Sequence, residues 1–466
     1  MEKRGYQFED FKNNPSVRKV FLRACHYGYD LAQRQIAALV INLEKEIGSL
    51  GQTLKEQRRR RDPKAKSTLN LIQIIRNRQI TLRRLIDSIL FAMIKQENWL
   101  FRRFTIDMEI HNIDPVVLDR TVRTAVELNR DDRLKFNLVS DLSTVVQIGD
   151  LVEIDVTNRG AGKWRIVELK EGKVNELISG LIEQQEVVGE AVQVAKETLG
   201  EKGAKQTVRM IRQASRMKEL VRIVETDRGL DPLYETEALM SRDTLTLADY
   251  HSELERVYKR AKEKGTAAIE INGCLRIFGI SKEKFKDRHR RAAAHQFFHM
   301  ANRGRRCALS TDSNPDERRE EIRMLNTIPY FVDIVDYNLN VPMADPIFSL
   351  SNSEMVFDLV MGRVRIFVQF DVEAFFRFAE ANKIKVRWIK GKEAESVKKF
   401  SKRWPGTDAW GILAELANGN RMTLLSGFII RPYTNFTTPR QLLEMIQDWP
   451  GQIAKTDPSG NLESPI

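Results

Sequence analysis

Cysteine is scarce in this chain. Cys25, Cys274 and Cys307 are the only three in 466 residues, with no CxxC spacing. That excludes a disulfide framework and suits free thiols in a reducing compartment. Long hydrophobic runs are missing as well: no stretch reaches the roughly eighteen apolar residues of a membrane helix, and the opening MEKRGYQFED has no apolar signal-peptide core. A cytoplasmic location with no membrane partner is therefore expected. GxxxxGK[ST], GxSxG and HExxH are all absent, which excludes a P-loop motor, a nucleophile elbow and a zinc-peptidase helix. Any nucleotide-driven motor activity would need a separate ATPase partner. No repeat of fixed period occurs.

What is present is an ordinary globular composition, 42% hydrophobic and 30% charged, long enough for several domains. Lys and Arg outnumber Asp and Glu by 76 to 64, a net charge of +12, the balance of a protein that meets polyanions such as nucleic acid.

From Pro15 to about Ile110 apolar residues recur at helical steps, first Ile36, Leu39, Leu43, Ile47, Leu50 and Leu54, then Ile75, Leu82, Ile86, Ile89 and Met93. QRRRRDPKAKST between them carries a proline and one apolar residue, Ala65, and reads as a turn. Two long antiparallel helices result, with a basic tip that includes Arg59 and Arg60. A short helix is expected from Pro115, after which LKFNLVSDLSTVVQIGDLVEIDV reads as extended. A long helical region follows from Asn175, broken near Gly200 to Gly203. Asn272-Gly273 in TAAIEINGCLRIFGIS signals a hairpin. YFVDIVDY and RVRIFVQF read as strands, VEAFFRFAEAN as a helix and KVRWI as a strand. The expected divisions are a helical domain over 1–112, a second domain over 113–281, an α+β domain over 282–450 and a disordered tail over 451–466.

The chemistry concentrates in IGDLVEIDVTNRGAGKWRIVELKEG. Pairing Val156 with Trp164 across the turn sets Ile154 against Ile166, Val152 against Glu168 and Asp150 against Lys170. One face then collects the apolar residues, and Asp150, Glu168 and Lys170 gather at its rim. Two carboxylates held close repel unless a cation sits between them. Oxygen donors alone select a hard ion, Mg²⁺ or Mn²⁺, that leaves room for a phosphate oxygen and an attacking water. Lys170 can then orient that water or offset charge on the transition state.

This stretch resembles the PD-(D/E)XK, restriction-endonuclease-like, nuclease superfamily. In that family an acid opens one strand and an acid-x-Lys triplet closes the next. The resemblance implies Asp150 and Glu168 as metal ligands and Asp150, Glu168 and Lys170 as the catalytic set. Gly149 stands where the family often has proline. The family's helix after the triplet approaches the nucleic acid, and Lys205, Arg209, Arg212 and Arg216, with Gln213 beside them, fall at helical spacing in the right place. Glu127 is the candidate for the extra acid many members carry before the first strand. The fold expected is α+β or α/β, a nuclease core flanked by the helical hairpin and a C-terminal α+β domain.

The function expected is Mg²⁺-dependent hydrolysis of phosphodiester bonds, in DNA, by an endonuclease that the resemblance places in prokaryotic antiviral defence, restriction or repair, as a homodimer. The alternative is a catalytically inactive nuclease fold that binds nucleic acid or assembles through its basic hairpin. His295 and His299, four apart in AAAHQFFHM, have the spacing of zinc ligands but the surroundings of a packed helix.

Overall fold

The computed structural model describes residues 15–94, 98–105, 113–132, 134–155, 164–169, 188–226, 228–231, 236–239, 249–284, 332–350, 352–389, 411–416 and 421–456, with Gln96 and Gly419. The chain divides into two units, Met1–Ala238 and Leu239–Ile466, each combining helices with antiparallel sheet. The boundaries expected near 112 and 281 both fall inside a unit. No helix among the described residues is long and apolar enough to cross a membrane.

The first unit opens with the two long helices the periodicity predicts, α1 (Pro15–Arg59) and α2 (Ala65–Met93). Their far halves close on a small core of Ile47, Leu54, Ile72 and Ile75. Nearer the base, Ile36, Ala37 and Val40 of α1 and Ile86, Ile89 and Leu90 of α2 enter a larger core, shared with α3 (Asn98–Arg103), α4 (Pro115–Asp131) and a sheet. Helix α4 begins where its sequence dictates. The Asp114 carboxylate accepts the Val116 and Val117 N–H groups, and Pro115 fills a first-turn position that needs no donor.

The sheet is a meander of β1 (Lys135–Val139), β2 (Leu151–Asp155) and β3 (Trp164–Val167), all antiparallel. Strand β1 lies at an edge, and its outward backbone groups need partners. Side chains of α1 and α4 supply them. His26 Nε2 lies 2.7 Å from the Lys135 carbonyl. The Gln33 amide donates to Asn137 O at 3.1 Å and accepts from Val139 N at 2.9 Å, and Asn129 Oδ1 accepts from Asn137 N at 2.7 Å. The helices thus stand in for a fourth strand, which ties the helical hairpin and the sheet into one unit. Beyond the sheet, α5 (Val188–Thr226) is kinked at Gly200, φ 71°, where the glycines predict a break. It leads to a small pair, β4 (Arg228–Asp231) and β5 (Thr236–Leu239).

In the second unit α6 (His251–Lys264) packs across a four-stranded sheet ordered β6-β7-β9-β8. Its hairpin, β6 (Thr266–Ile271) to β7 (Leu275–Ser281), turns at Asn272 and Gly273, both left-handed at φ 52° and 70°, the conformation an Asn-Gly turn supplies. Gly279 of β7 admits the helix, since a Cβ there would lie 2.7 Å from Val257 Cγ1. Strands β8 (Val332–Asp333) and β9 (Val364–Phe370) complete the sheet. Among the described residues, the strand expected over YFVDIVDY is present at Val332–Asp333. Asp333 then accepts the Val335 and Asp336 N–H groups and starts α7 (Ile334–Asn340), so a cap overrides the β-rich composition. Helix α8 (Ser353–Val360) precedes β9, and α9 (Val372–Ala381) leads to a second antiparallel sheet, β10 (Lys385–Trp388), β11 (Gly411–Glu415) and β12 (Arg421–Leu425). After two single turns, α10 (Ser426–Ile429) and α11 (Arg431–Thr434), helix α12 (Pro439–Thr456) runs into the stretch expected to be a tail. Residues 457–466 lie outside the described residues.

Candidate active site

Strands β2 and β3 pair with Ile154 opposite Trp164, Glu153 opposite Arg165, Val152 opposite Ile166 and Leu151 opposite Val167. The register expected from the sequence is therefore displaced by two residues. An even displacement keeps every side chain on its expected face, so Val152, Ile154, Trp164 and Ile166 still line the core together. Two contacts select this register. Glu153 and Arg165 meet as a two-pronged ion pair, 2.8 Å at each contact. Trp164 sets its ring edge-on to Phe104, 5.2 Å between centroids. The linking residues 156–163, including Val156, lie outside the described residues.

At the end of this ladder the backbone brings Asp150 beside the two residues that flank Glu168. The Asp150 N–H donates to Val167 O at 2.9 Å, and Asp150 Oδ2 accepts the Leu169 N–H at 2.6 Å. Asp150 is thus bonded to the residues on both sides of Glu168, and Ser140 N donates to Asp150 O at 2.9 Å from the β1 side. Both acids are half-buried. The Leu169 bond orients the Asp150 carboxylate. Lys170 lies outside the described residues.

Gly149 makes this approach possible. Its φ is +70°, and a Cβ built on it would fall 2.2 Å from Ile166 Cγ2 and 3.2 Å from Val167 O. Proline, fixed near −65°, cannot adopt this backbone. Here the chain turns left-handed and passes tightly over β3 before entering β2.

The segment that delivers Asp150 is anchored by α2. Asp87 and Arg84, both wholly buried, pair at 3.0 Å. The Asp87 carboxylate also accepts from Ser143 Oγ, Thr144 Oγ1 and, at 2.9 Å, Thr144 N. Arg83 donates to Ser143 O at 2.6 Å; burial pulls its guanidinium below the ordinary value, against the opposing charges of Asp87, Asp141 and Glu44. These residues are absent from the sequence-derived set. Their signal was available: Arg83, Arg84 and Asp87 interrupt the apolar seam of Leu82, Ile86 and Ile89, and a charged pair three apart on a buried stripe needs a partner from elsewhere in the fold.

Of the other candidates, Glu127 stands on the exposed side of α4, away from the Leu118, Thr121 and Ala125 stripe that is buried. Lys205 is exposed on α5. Arg209, Arg212, Gln213 and Arg216 belong to the same helix, and their side chains lie outside the described residues. Arg59 is exposed at the end of α1 and Arg60 in the turn that follows. His295, His299 and Cys307 lie outside the described residues, while Cys25 and Cys274 are free thiols. Among the described residues no group of three or more His, Cys, Asp or Glu is placed to hold a metal. A Mg²⁺ ion does not require one: it keeps several waters and is held by one or two carboxylates, the hard oxygen donors that Asp150 and Glu168 supply.

No protein-family model, curated protein or solved structure matches this chain.

Proposed function

We propose that the chain is a metal-dependent nuclease that hydrolyses DNA phosphodiester bonds at Asp150, Glu168 and Lys170, on a restriction-endonuclease-like core running from α4 through β3 to α5. The observation that carries the reading is the bonding of Asp150, at the entry to β2, to both neighbours of Glu168, just past the end of β3. Supporting it are the order of a helix, three antiparallel strands and a helix, and the chain's net charge of +12.

In this reading Asp150 and Glu168 hold Mg²⁺ or Mn²⁺. The bound ion supplies Lewis-acid polarisation of the phosphoryl oxygen and an acidified water. The chain does the rest. The Leu169 N–H fixes the Asp150 carboxylate, the Gly149 turn holds β2 close to β3, and the Lys170 ammonium offsets negative charge that grows as the phosphorus gains its fifth oxygen. The helix bearing Lys205 follows the site in the chain and offers cations to flanking phosphates. The resemblance carries the biological setting, prokaryotic antiviral defence or repair, and the homodimeric assembly.

The test is incubation of the protein with supercoiled plasmid and Mg²⁺, with and without chelator, alongside Glu168→Ala and Asp150→Asn. Cleavage that the chelator abolishes, and that each variant lowers at least about 100-fold while circular dichroism stays unchanged, is the expected result. Folded variants that cut at the wild-type rate would overturn it. Metal-independent binding with no cutting would favour the inactive nuclease-like alternative.

A further inference from the structure

The turn closing α1 and α2 is built to present charge. Arg58, Arg59, Arg60, Arg61, Lys64 and Lys66 are all exposed there. The helix ends in a two-bond motif, Asp62 N to Gln57 O at 2.9 Å and Arg61 N to Arg58 O at 3.1 Å, the pattern that normally has glycine at its left-handed position. Here that position is Arg61, at φ 55°, a conformation side chains with a Cβ rarely adopt. Asp62, the one acid between residues 57 and 66, is engaged by the turn itself, its carboxylate accepting Lys64 N at 2.8 Å. The helices beneath are zipped by Ile47, Leu54, Ile72 and Ile75, so the cations sit on a stiff stalk.

Two geometric features narrow the partner. Consecutive residues on a helix fan out by about 100° each, so Arg58 and Arg59, the turn residues that follow and the two lysines cannot all face one plane. From Gln57 to Thr68 the only apolar side chains are the small ones of Pro63 and Ala65, too little apolar area at the tip itself to sink into a bilayer. A helical hairpin is one helix thick across its plane, roughly 10–12 Å. The major groove of B-form DNA is about 12 Å wide, with phosphates along both rims.

We propose that the α1–α2 tip is a DNA-gripping arm that enters the major groove of a duplex and binds phosphates on both strands. This goes beyond the nuclease reading and does not rest on it, since the grip uses neither carboxylate nor metal. The two can fail separately.

The experiment is fluorescence anisotropy of the full chain with a labelled DNA duplex in excess chelator, across a salt series. The probes are the wild type, a variant with Arg58→Gln, Arg59→Gln, Arg60→Gln and Arg61→Gln together, and Arg61→Gly. Each phosphate contact contributes about −0.9 to the slope of log affinity against log salt. The quadruple variant should therefore flatten the slope by about 2–4 and weaken binding at least roughly 10-fold near 0.1 M salt. Arg61→Gly, which gives the turn its preferred residue while removing one cation, should flatten the slope by about 1 with the protein fully folded. Wild-type affinity and slope in both variants overturns the proposal. So does tighter binding to duplex RNA, whose major groove is too narrow for the arm, or to anionic vesicles in place of DNA.

Discussion

The buried pair beneath the site gives the sharpest test of how this unit is held together. In Asp87→Ala the Arg84 guanidinium, 0% exposed, loses its carboxylate partner. Removing one partner of a buried ion pair costs about 3–5 kcal/mol, because the remaining charge can neither reach water nor discharge. Ser143 and Thr144 lose their acceptor in the same step. A domain is typically stable by about 5–15 kcal/mol, so the loss is about a fifth of the total or more. In a unit of this size each kcal/mol moves the midpoint by roughly 2–4 °C, which predicts a fall of about 6–20 °C in the thermal transition of the first unit. Arg84→Met combined with Asp87→Leu separates the causes. The buried charge is then gone, and the remaining deficit, the unpaired Thr144 N–H and the two hydroxyls, is about 1–3 kcal/mol. The double variant must therefore be more stable than Asp87→Ala alone. The reasoning fails if the single substitution shifts stability by less than about 1 kcal/mol, or if the double variant is no better than the single.

Gly149→Ala should cost about 2–5 kcal/mol, from roughly 1–2 for a left-handed alanine and about 1–3 for the collision with Ile166; denaturant unfolding measures it, and a loss under 1 kcal/mol would show that β3 yields freely. Acid stability tests the second unit. Burial pushes the Asp358 carboxyl up, but hydrogen bonds from Lys262 and Tyr258, the Lys262 charge and a hydrogen bond from Arg363 outweigh it and hold the group below the usual range. A depressed carboxylate contributes stability above its unfolded pKa, about 3.9, and loses it as pH falls through the lower folded value. Asp358→Asn should therefore be less stable than wild type at neutral pH and converge with it as pH falls through the depressed folded value. A gap that persists undiminished into acid contradicts this assignment.

Sequence periodicity conveyed the helical pair, the start of α4 and the Asn-Gly turn because each depends on short-range chemistry: apolar spacing, a capping carboxylate and a left-handed dipeptide. What it could not convey is long-range pairing. The choice between two registers of equal face pattern falls to Glu153 meeting Arg165 and Trp164 meeting Phe104, and alternation is blind to a shift of two. The same holds for β1, whose edge is closed by Gln33 and His26 from more than a hundred residues away. Polar residues on α1 read as solvated until the strand they serve is in place.

Gly149 joins these strands of reasoning. It is the residue that lets Asp150 lie against the peptide that follows Glu168. The left-handed backbone and the 2.2 Å approach of a notional Cβ to Ile166 leave only glycine free of strain there. Asp150 is consequently positioned by backbone: Ser140 and Val167 hold its main chain, and Leu169 holds its carboxylate. Side-chain changes at the rim should then alter the chemistry of the pair without moving it, whereas changes at Gly149, or at the Asp87 anchor that feeds the segment, should displace the pair while leaving both carboxylates intact.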